Sequence, residues 1–162
     1  MADLRKGIAI FRCEFGENHG YAELEEIRPN GPVRIHVHVE GFPSDGKHGF
    51  HIHRSGNTEC GANSLCNHYN PTNQPHGGLN EVHSHVGDLG NITANKKGVV
   101  DETLVADRVR LSGVRSVYGR SLIIHEDEDD LGKGKYKDSL TTGHSGRRVL
   151  WGIIAVNDDP CC

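Results

Sequence analysis

Apolar residues in this chain recur at a period of two. In PVRIHVHVE, Val33, Ile35, Val37 and Val39 alternate with Arg34, His36 and His38, so an extended segment here has one apolar face and one polar face. The same alternation, or a short apolar run bounded by Gly, Pro, Asn or Asp, predicts eight strands, at about 7–15, 21–27, 32–40, 47–53, 86–93, 99–105, 121–125 and 149–156. Segments 26–32 and 94–98 carry the Asn, Gly and Pro expected of hairpin connections. No stretch sustains a helical period. The pattern therefore predicts an all-β protein, an antiparallel sandwich or barrel. Two connections, 54–84 and 126–146, exceed ordinary loop lengths, and such loops inside a compact domain are usually functional.

Composition narrows the class. With 162 residues, 35% of them hydrophobic, the chain suits one domain over 1–162, with a core at about 7–157 and a short C-terminal tail. The 21 glycines fit many turns. A net charge of −4 with both signs mixed gives no basic footprint for nucleic acid. The start, MADLRKGIAIFRCEF, shows no apolar h-region, and no later run reaches the roughly 18 apolar residues of a membrane span. A soluble, cytoplasmic protein with no membrane partner is expected. Asn91-Ile92-Thr93 fits the glycosylation pattern, but without a secretory signal that match carries no weight.

The chemistry concentrates between His48 and Asp88, which enclose His51, His53, His68, His76, His83 and His85. In GFHIH, Phe50 and Ile52 alternate with His51 and His53, so both imidazoles leave one face of a strand together. His68, His76, His85 and Asp88 follow in a segment rich in Gly, Asn and Pro. Such a segment has little apolar content with which to order itself, and a cation ligated by several of its side chains would supply the missing free energy. Three His and one Asp make a closed tetrahedral set of the structural zinc kind. His51 and His53 with a further His make an all-imidazole site that suits copper, and blue copper is disfavoured because Met1 is the single methionine. The competing view, solvated loop histidines or a His-rich metal sink, leaves the strand placement unexplained. His36 and His38 show that the spacing alone is weak; with Val33, Ile35, Val37 and Val39 on the opposite face, they are expected to face solvent. His19, His83 and His144 are expected at the surface.

HGFHIH, NHYNP, HGG, HVGDLGN, IIHEDEDDLGKG and the GRR before an apolar strand closely resemble copper/zinc superoxide dismutases, in order and with the intervals between metal-binding positions kept. The resemblance runs from about Gly7 to Asn157 and implies an eight-stranded antiparallel Greek-key barrel, an immunoglobulin-like sandwich with a long zinc loop and a long charged loop. It implies copper at His51, His53, His68 and His125, zinc at His68, His76, His85 and Asp88, and His68 as the bridge between them. Arg148 falls on the anion-docking arginine. Asp129 falls on the carboxylate that joins a copper-ligand His to a zinc-ligand His, here His51 and His76, and His48 on a structural histidine that hydrogen-bonds the barrel.

The activity implied is conversion of two superoxide anions and two protons to O₂ and H₂O₂ by copper cycling between Cu(II) and Cu(I), with zinc ordering the loop. His68 is expected to release copper and take up a proton in the reduced half of the cycle. An acidic protein needs a local positive field to draw an anion in. Lys133, Lys135 and Lys137, with Arg147 and Arg148, are the steering candidates; focusing of this kind raises on-rates by about 10 to 10³-fold, superoxide dismutase being a recognised case. The family is commonly homodimeric, and Ile8, Ile10, Ile153 and Ile154 are candidates for an interface or a core. A copper chaperone is a further expected partner. The alternatives are a non-catalytic copper-handling or decoy member of the fold, which would ordinarily lack copper ligands or the arginine, and a zinc-storage protein, which would leave His125 and Arg148 idle.

The five cysteines depart from the family pattern. Its disulfide ties the zinc loop to the last strand, where the matching position is Trp151, so Cys60 lacks the usual partner. Pairing with Cys66 would close too short a loop to contribute more than about 2 kcal/mol. The indole of Trp151 is expected to fill the gap by packing. Cys161 and Cys162 end the chain, with their thiol state open.

Overall fold

The computed structural model describes residues 4–157. Nine strands lie in one antiparallel sheet: β1 (Lys6–Arg12), β2 (Asn18–Glu26), β3 (Val33–Val39), β4 (Gly46–His53), β5 (Asp88–Ala94), β6 (Val100–Ala106), β7 (Ser121–His125), β8 (Arg148–Ile153) and the short β9 (Ala155–Val156). The order is β5-β4-β7-β8-β1-β2-β3-β6, with β9 also on β1. A tight turn joins the two outermost strands, with Gly98 N donating to Asn95 O at 2.8 Å, so the sheet nearly closes into a barrel. The connections from β3 to β4 and from β6 to β7 cross between distant strands of this order, which gives the Greek-key path.

Alternation accounts for the core. In β3, Val33, Ile35, Val37 and Val39 are fully buried, while His36 and His38 face outward and pair with Asp101 at 2.8 and 3.6 Å. Phe11, Leu24, Phe50, Ile52, Leu122 and Ile124 enter the same interior from other strands.

Three features differ from the sequence expectation. The last strand is split: Ile154 turns inward, is 1% exposed, and bonds Arg120 O at 2.9 Å before β9 resumes against β1. Ile154 thus belongs to the core. A third long connection, 107–120, lies beside the two expected ones. Single turns of helix, a 3₁₀ turn at Gly61–Leu65 and an α turn at Ser139–Thr142, punctuate the long loops; segments this short carry too few residues to show a period. Cys161 and Cys162 lie outside the described residues.

Candidate metal centre

β4 is the scaffold. Phe50 and Ile52 point into the barrel, and His51 and His53 point out, yet both faces are buried. The outer face is covered because 54–87 folds back along the strand: Tyr69 N donates to Ile52 O, Ile52 N to Gly87 O and Gly87 N to Tyr69 O, at 2.8, 2.8 and 2.9 Å. That return brings His68 opposite His53 as a bridged pair. The register places His51 across from Asp88, with a bulge between Gly49 and His51, and His125 across from Arg148, with a bulge after Ile124. Bulges re-aim side chains, and here they turn ligand-type residues toward one place.

Four imidazoles converge, each with one nitrogen already engaged. His51 Nε2 bonds Asp129 Oδ2 at 2.6 Å, His53 Nδ1 bonds Cys66 O at 2.8 Å, His68 Nδ1 lies 2.9 Å from Asp88 Oδ1, and His125 Nδ1 bonds Gly146 O at 3.1 Å. The opposite nitrogens are left for each other. His53 Nε2 and His125 Nε2 lie 3.4 Å apart, and His51 Nδ1 and His68 Nε2 are buried with no hydrogen-bond partner. Four lone pairs aimed at one buried point fit a cation that favours imidazole.

The second set centres on one carboxylate oxygen. Asp88 Oδ1 is 2.9 Å from His68 Nδ1, 3.0 Å from His76 Nδ1 and 3.1 Å from His85 Nδ1, and His68 and His85 are 3.3 Å apart at Nδ1. Edges between donors on a tetrahedral zinc are ~3.3 Å for bonds of about 2.0–2.1 Å, so these four residues stand at nearly ligating separations. His51, His53, His68 and His125 form one group able to hold a metal ion, and His51, His68, His76 and Asp88 form another. The spacings of His85 favour it over His51 in the second set, since His51 Nε2 is committed to Asp129. His68 belongs to both groups, with Nδ1 on Asp88 and Nε2 free of any hydrogen bond.

Burial and charge tune these groups. Burial pushes His51 and His53 well below their usual 6.5, and the neighbouring His68 adds to this; His125 is pushed down to about 3, again mainly by burial. They stay neutral, as ligands must. At His76 burial also acts downward, but bonds to Asp129 and Asp88 outweigh it and raise the ring to about 9. Asp88 is the reverse: burial would raise it, and His68, His76 and His85 hold it far below the usual carboxylate range. The second set thus favours positive charge at its centre.

Asp129 lies between two imidazoles, with Oδ2 on His51 at 2.6 Å and Oδ1 on His76 at 2.8 Å. Sequence reasoning missed what holds it. Asn91 accepts from Asp129 N at 2.8 Å and donates to Asp129 O at 3.0 Å, so an amide met in the sequence as part of a glycosylation pattern is occupied in pinning this loop. Gly143, at φ 69°, passes so close to Asp129 and His76 that a Cβ there would collide with both. His48 is buried and hydrogen-bonds Glu126 O through Nδ1 at 2.8 Å.

Arg148 anchors on the zinc-loop backbone, donating from Nη1 to Ala62 O at 2.5 Å and from Nη2 to Cys66 O at 2.6 Å. Lys133, Lys135 and Lys137 are all exposed. Lys133 is paired to Glu81 at 3.4 Å, and Arg147 is held by both oxygens of Glu126 at 2.9 Å. The cleft that reaches His68 and His85 is lined by Arg54, Thr141 and Thr142, none of which the sequence reading singled out; each becomes adjacent only when the two long loops meet. Cys13, Cys60 and Cys66 are free thiols, and Cys60 and Trp151 border one groove.

Residues 18–154 match the sequence profile of the copper/zinc superoxide dismutases. The extracellular Cu-Zn superoxide dismutase of Drosophila melanogaster is 44% identical over 124 residues, 76% of this chain and 68% of that protein. The crystal structure of the clock protein EA4 superposes with a TM-score of 0.87 at 34% identity, over 94% of both chains. The expectation of a cytoplasmic protein is overturned by the first relative, which is extracellular.

Proposed function

Because this chain belongs to the copper/zinc superoxide dismutase family, we propose a role for each residue of its two clusters. The protein dismutes superoxide, using copper and zinc. Copper supplies alternating one-electron oxidation and reduction, and zinc a redox-silent charge that orders its ligands. His51, His53, His68 and His125 hold the copper; His68, His76, His85 and Asp88 hold the zinc. The observation that carries this division is the set of four imidazole nitrogens that face one another, His53 Nε2 lying 3.4 Å from His125 Nε2 while His51 Nδ1 and His68 Nε2 are buried with no hydrogen-bond partner.

The chain's own groups bind the anion and handle its protons. The guanidinium of Arg148, a planar fork of donors held by two carbonyls, suits a small anion better than a mobile ammonium does. Asp129 fixes the tautomers of His51 and His76 from behind. His68, with a nitrogen toward each cluster, carries a proton at Nε2 to the reduced product. His48 braces the start of the charged loop through Glu126 O. Lys135 and Lys137 supply the long-range attraction, with a smaller share from Lys133 because Glu81 neutralises it.

The whole of 1–162 is one domain in this reading. We infer that two copies pair through the surface of Ile8, Ile10, Trp151 and Ile153, which line one apolar groove with Ile10 37% exposed. We infer secretion from the extracellular relative, and a copper chaperone as the loading partner. Metal analysis beside superoxide dismutation tests the core of the proposal: one copper and one zinc per chain with salt-sensitive turnover is expected, and copper bound without turnover would overturn it.

A further inference from the structure

The turn between β1 and β2 carries a third group of ligand-type side chains. Cys13, Glu17 and His19 each bring one ligand atom, a sulfur, a carboxylate oxygen and a ring nitrogen, to within 4.8 Å of one another. None of the three belongs to the clusters described above. The turn is closed at both ends, with Gly16 N donating to Cys13 O at 2.9 Å and Cys13 N to Glu17 O at 3.2 Å, so the backbones of Cys13 and Glu17 are fixed relative to each other.

The His19 ring is set as a ligand would be. Its Nδ1 lies 3.1 Å from Glu40 O, while the His19 carbonyl accepts from Glu40 N at 2.8 Å, so both backbone and ring are pinned to the same residue. A carbonyl at Nδ1 places the proton there and leaves Nε2 with its lone pair, the arrangement that orients metal-bound histidines. That free nitrogen lies 3.9 Å from Glu17 Oε2. Cys13 is half-buried and rests against the core, whereas the Glu17 side chain is 74% exposed and free to swing.

We propose that Cys13, Glu17 and His19 form a third metal site, for a borderline divalent cation such as Zn²⁺, with water completing the coordination. A thiolate, a carboxylate and a neutral imidazole carry a charge of −2, matching the ion. The thiolate selects against Mg²⁺ and Ca²⁺, and the mixed sulfur, nitrogen and oxygen set suits zinc. Donor edges on such a zinc are about 3.3–3.6 Å, so ligand atoms that lie within 4.8 Å of one another need to close by roughly an ångström or less, with the exposed Glu17 side chain the freest of the three to move. Binding would staple the turn beside the irregularity between Phe11 and Arg12.

The test uses protein already loaded with its copper and zinc and freed of excess metal, titrated with Zn²⁺ and read by native mass spectrometry. A third equivalent is expected. Cys13→Ser should abolish it, and Glu17→Gln and His19→Ala should each weaken it by roughly tenfold or more, at least what loss of an orienting partner costs. The double variant Cys161→Ser/Cys162→Ser should retain it. Co²⁺ added in place of Zn²⁺ should give a thiolate-to-cobalt charge-transfer band that Cys13→Ser lacks. Superoxide dismutation should be unchanged in every variant, which certifies the fold. Absence of a third equivalent, its survival in Cys13→Ser, or its loss in the Cys161/Cys162 variant would each overturn the assignment.

Discussion

Arg148 is tethered to Cys66: guanidinium Nη2 lies 2.6 Å from the Cys66 carbonyl, which also accepts from His53 Nδ1 at 2.8 Å. One main-chain oxygen therefore orients both Arg148 and His53, the residues proposed to dock the anion and to hold the copper. Cys66 holds it there at φ 64°, ψ −157°, a region that glycine occupies freely and that costs other residues about 1–3 kcal/mol. Cys66→Gly keeps the carbonyl and releases the strain. The variant should unfold about 1 kcal/mol later with kcat/KM unchanged, whereas Cys66→Val should lose stability. Thermal unfolding beside superoxide turnover decides this, and a less stable glycine variant would show that the thiol, not the backbone, matters.

Arg148→Lys replaces the fork with a point charge and frees two carbonyls. We expect kcat/KM to fall roughly tenfold through loss of the charge-assisted fork geometry, with the dependence on ionic strength kept because the charge is kept. Unaltered turnover would remove Arg148 from the anion path.

Asp129→Asn preserves shape but cannot accept from both His51 and His76. Metal affinity should drop about 10–100-fold at both sites together, measured by competition with a chelator. Asn91→Ala, which leaves Asp129 without its two backbone anchors, should produce a smaller loss of the same kind. A defect confined to one metal would contradict a shared support.

Protein stripped of metal should weaken on acidification. His125 is held at about 3 and His51 and His53 well below 6.5, chiefly by burial, while in the unfolded chain such rings titrate near about 6.5. The unfolded state therefore takes up protons first as pH falls. The stability these residues confer is complete above about 6.5 and drains toward about 3. His76 runs the other way, since its raised value of about 9 gives stability that is full below 6.5 and lost as pH rises through 9. The melting temperature should peak near neutrality; a flat profile from pH 6.5 down to 4 would refute it. Zinc uptake at pH 7.5 should also release close to one proton per chain, from His76.

Trp151→Cys should pair with Cys60 under oxidising conditions, because Cys60 and Trp151 border the same groove. Thiol counting checks this: after oxidation the variant should show one free thiol fewer than the parent, in which Cys60 is free, and one more than the parent would dismiss the pairing.

Local chemistry made much of this protein legible before any fold was known. The alternation in 33–39 fixes which face of β3 is buried, since side chains leave a strand on opposite sides whatever it packs against. The His51 and His53 pair is readable for the same reason. The ligand-rich order from His68 to Asp88 announces metal because so many nitrogen donors with so little apolar content have few other uses.

Only the tertiary structure decided the rest, because it depends on residues far apart in sequence meeting at a few ångströms. Nothing near Asn91 says that it will clasp the backbone of Asp129, and nothing near Arg54 says that it will share a cleft with Thr142. His36-Val37-His38 and His51-Ile52-His53 carry the same local pattern, yet one pair faces solvent and the other is buried, because 54–87 folds back over β4 alone. The sequence by itself determined which side of each strand a residue occupies; the nearly closed barrel and its two long loops decided which of those sides met water and which enclosed the histidines.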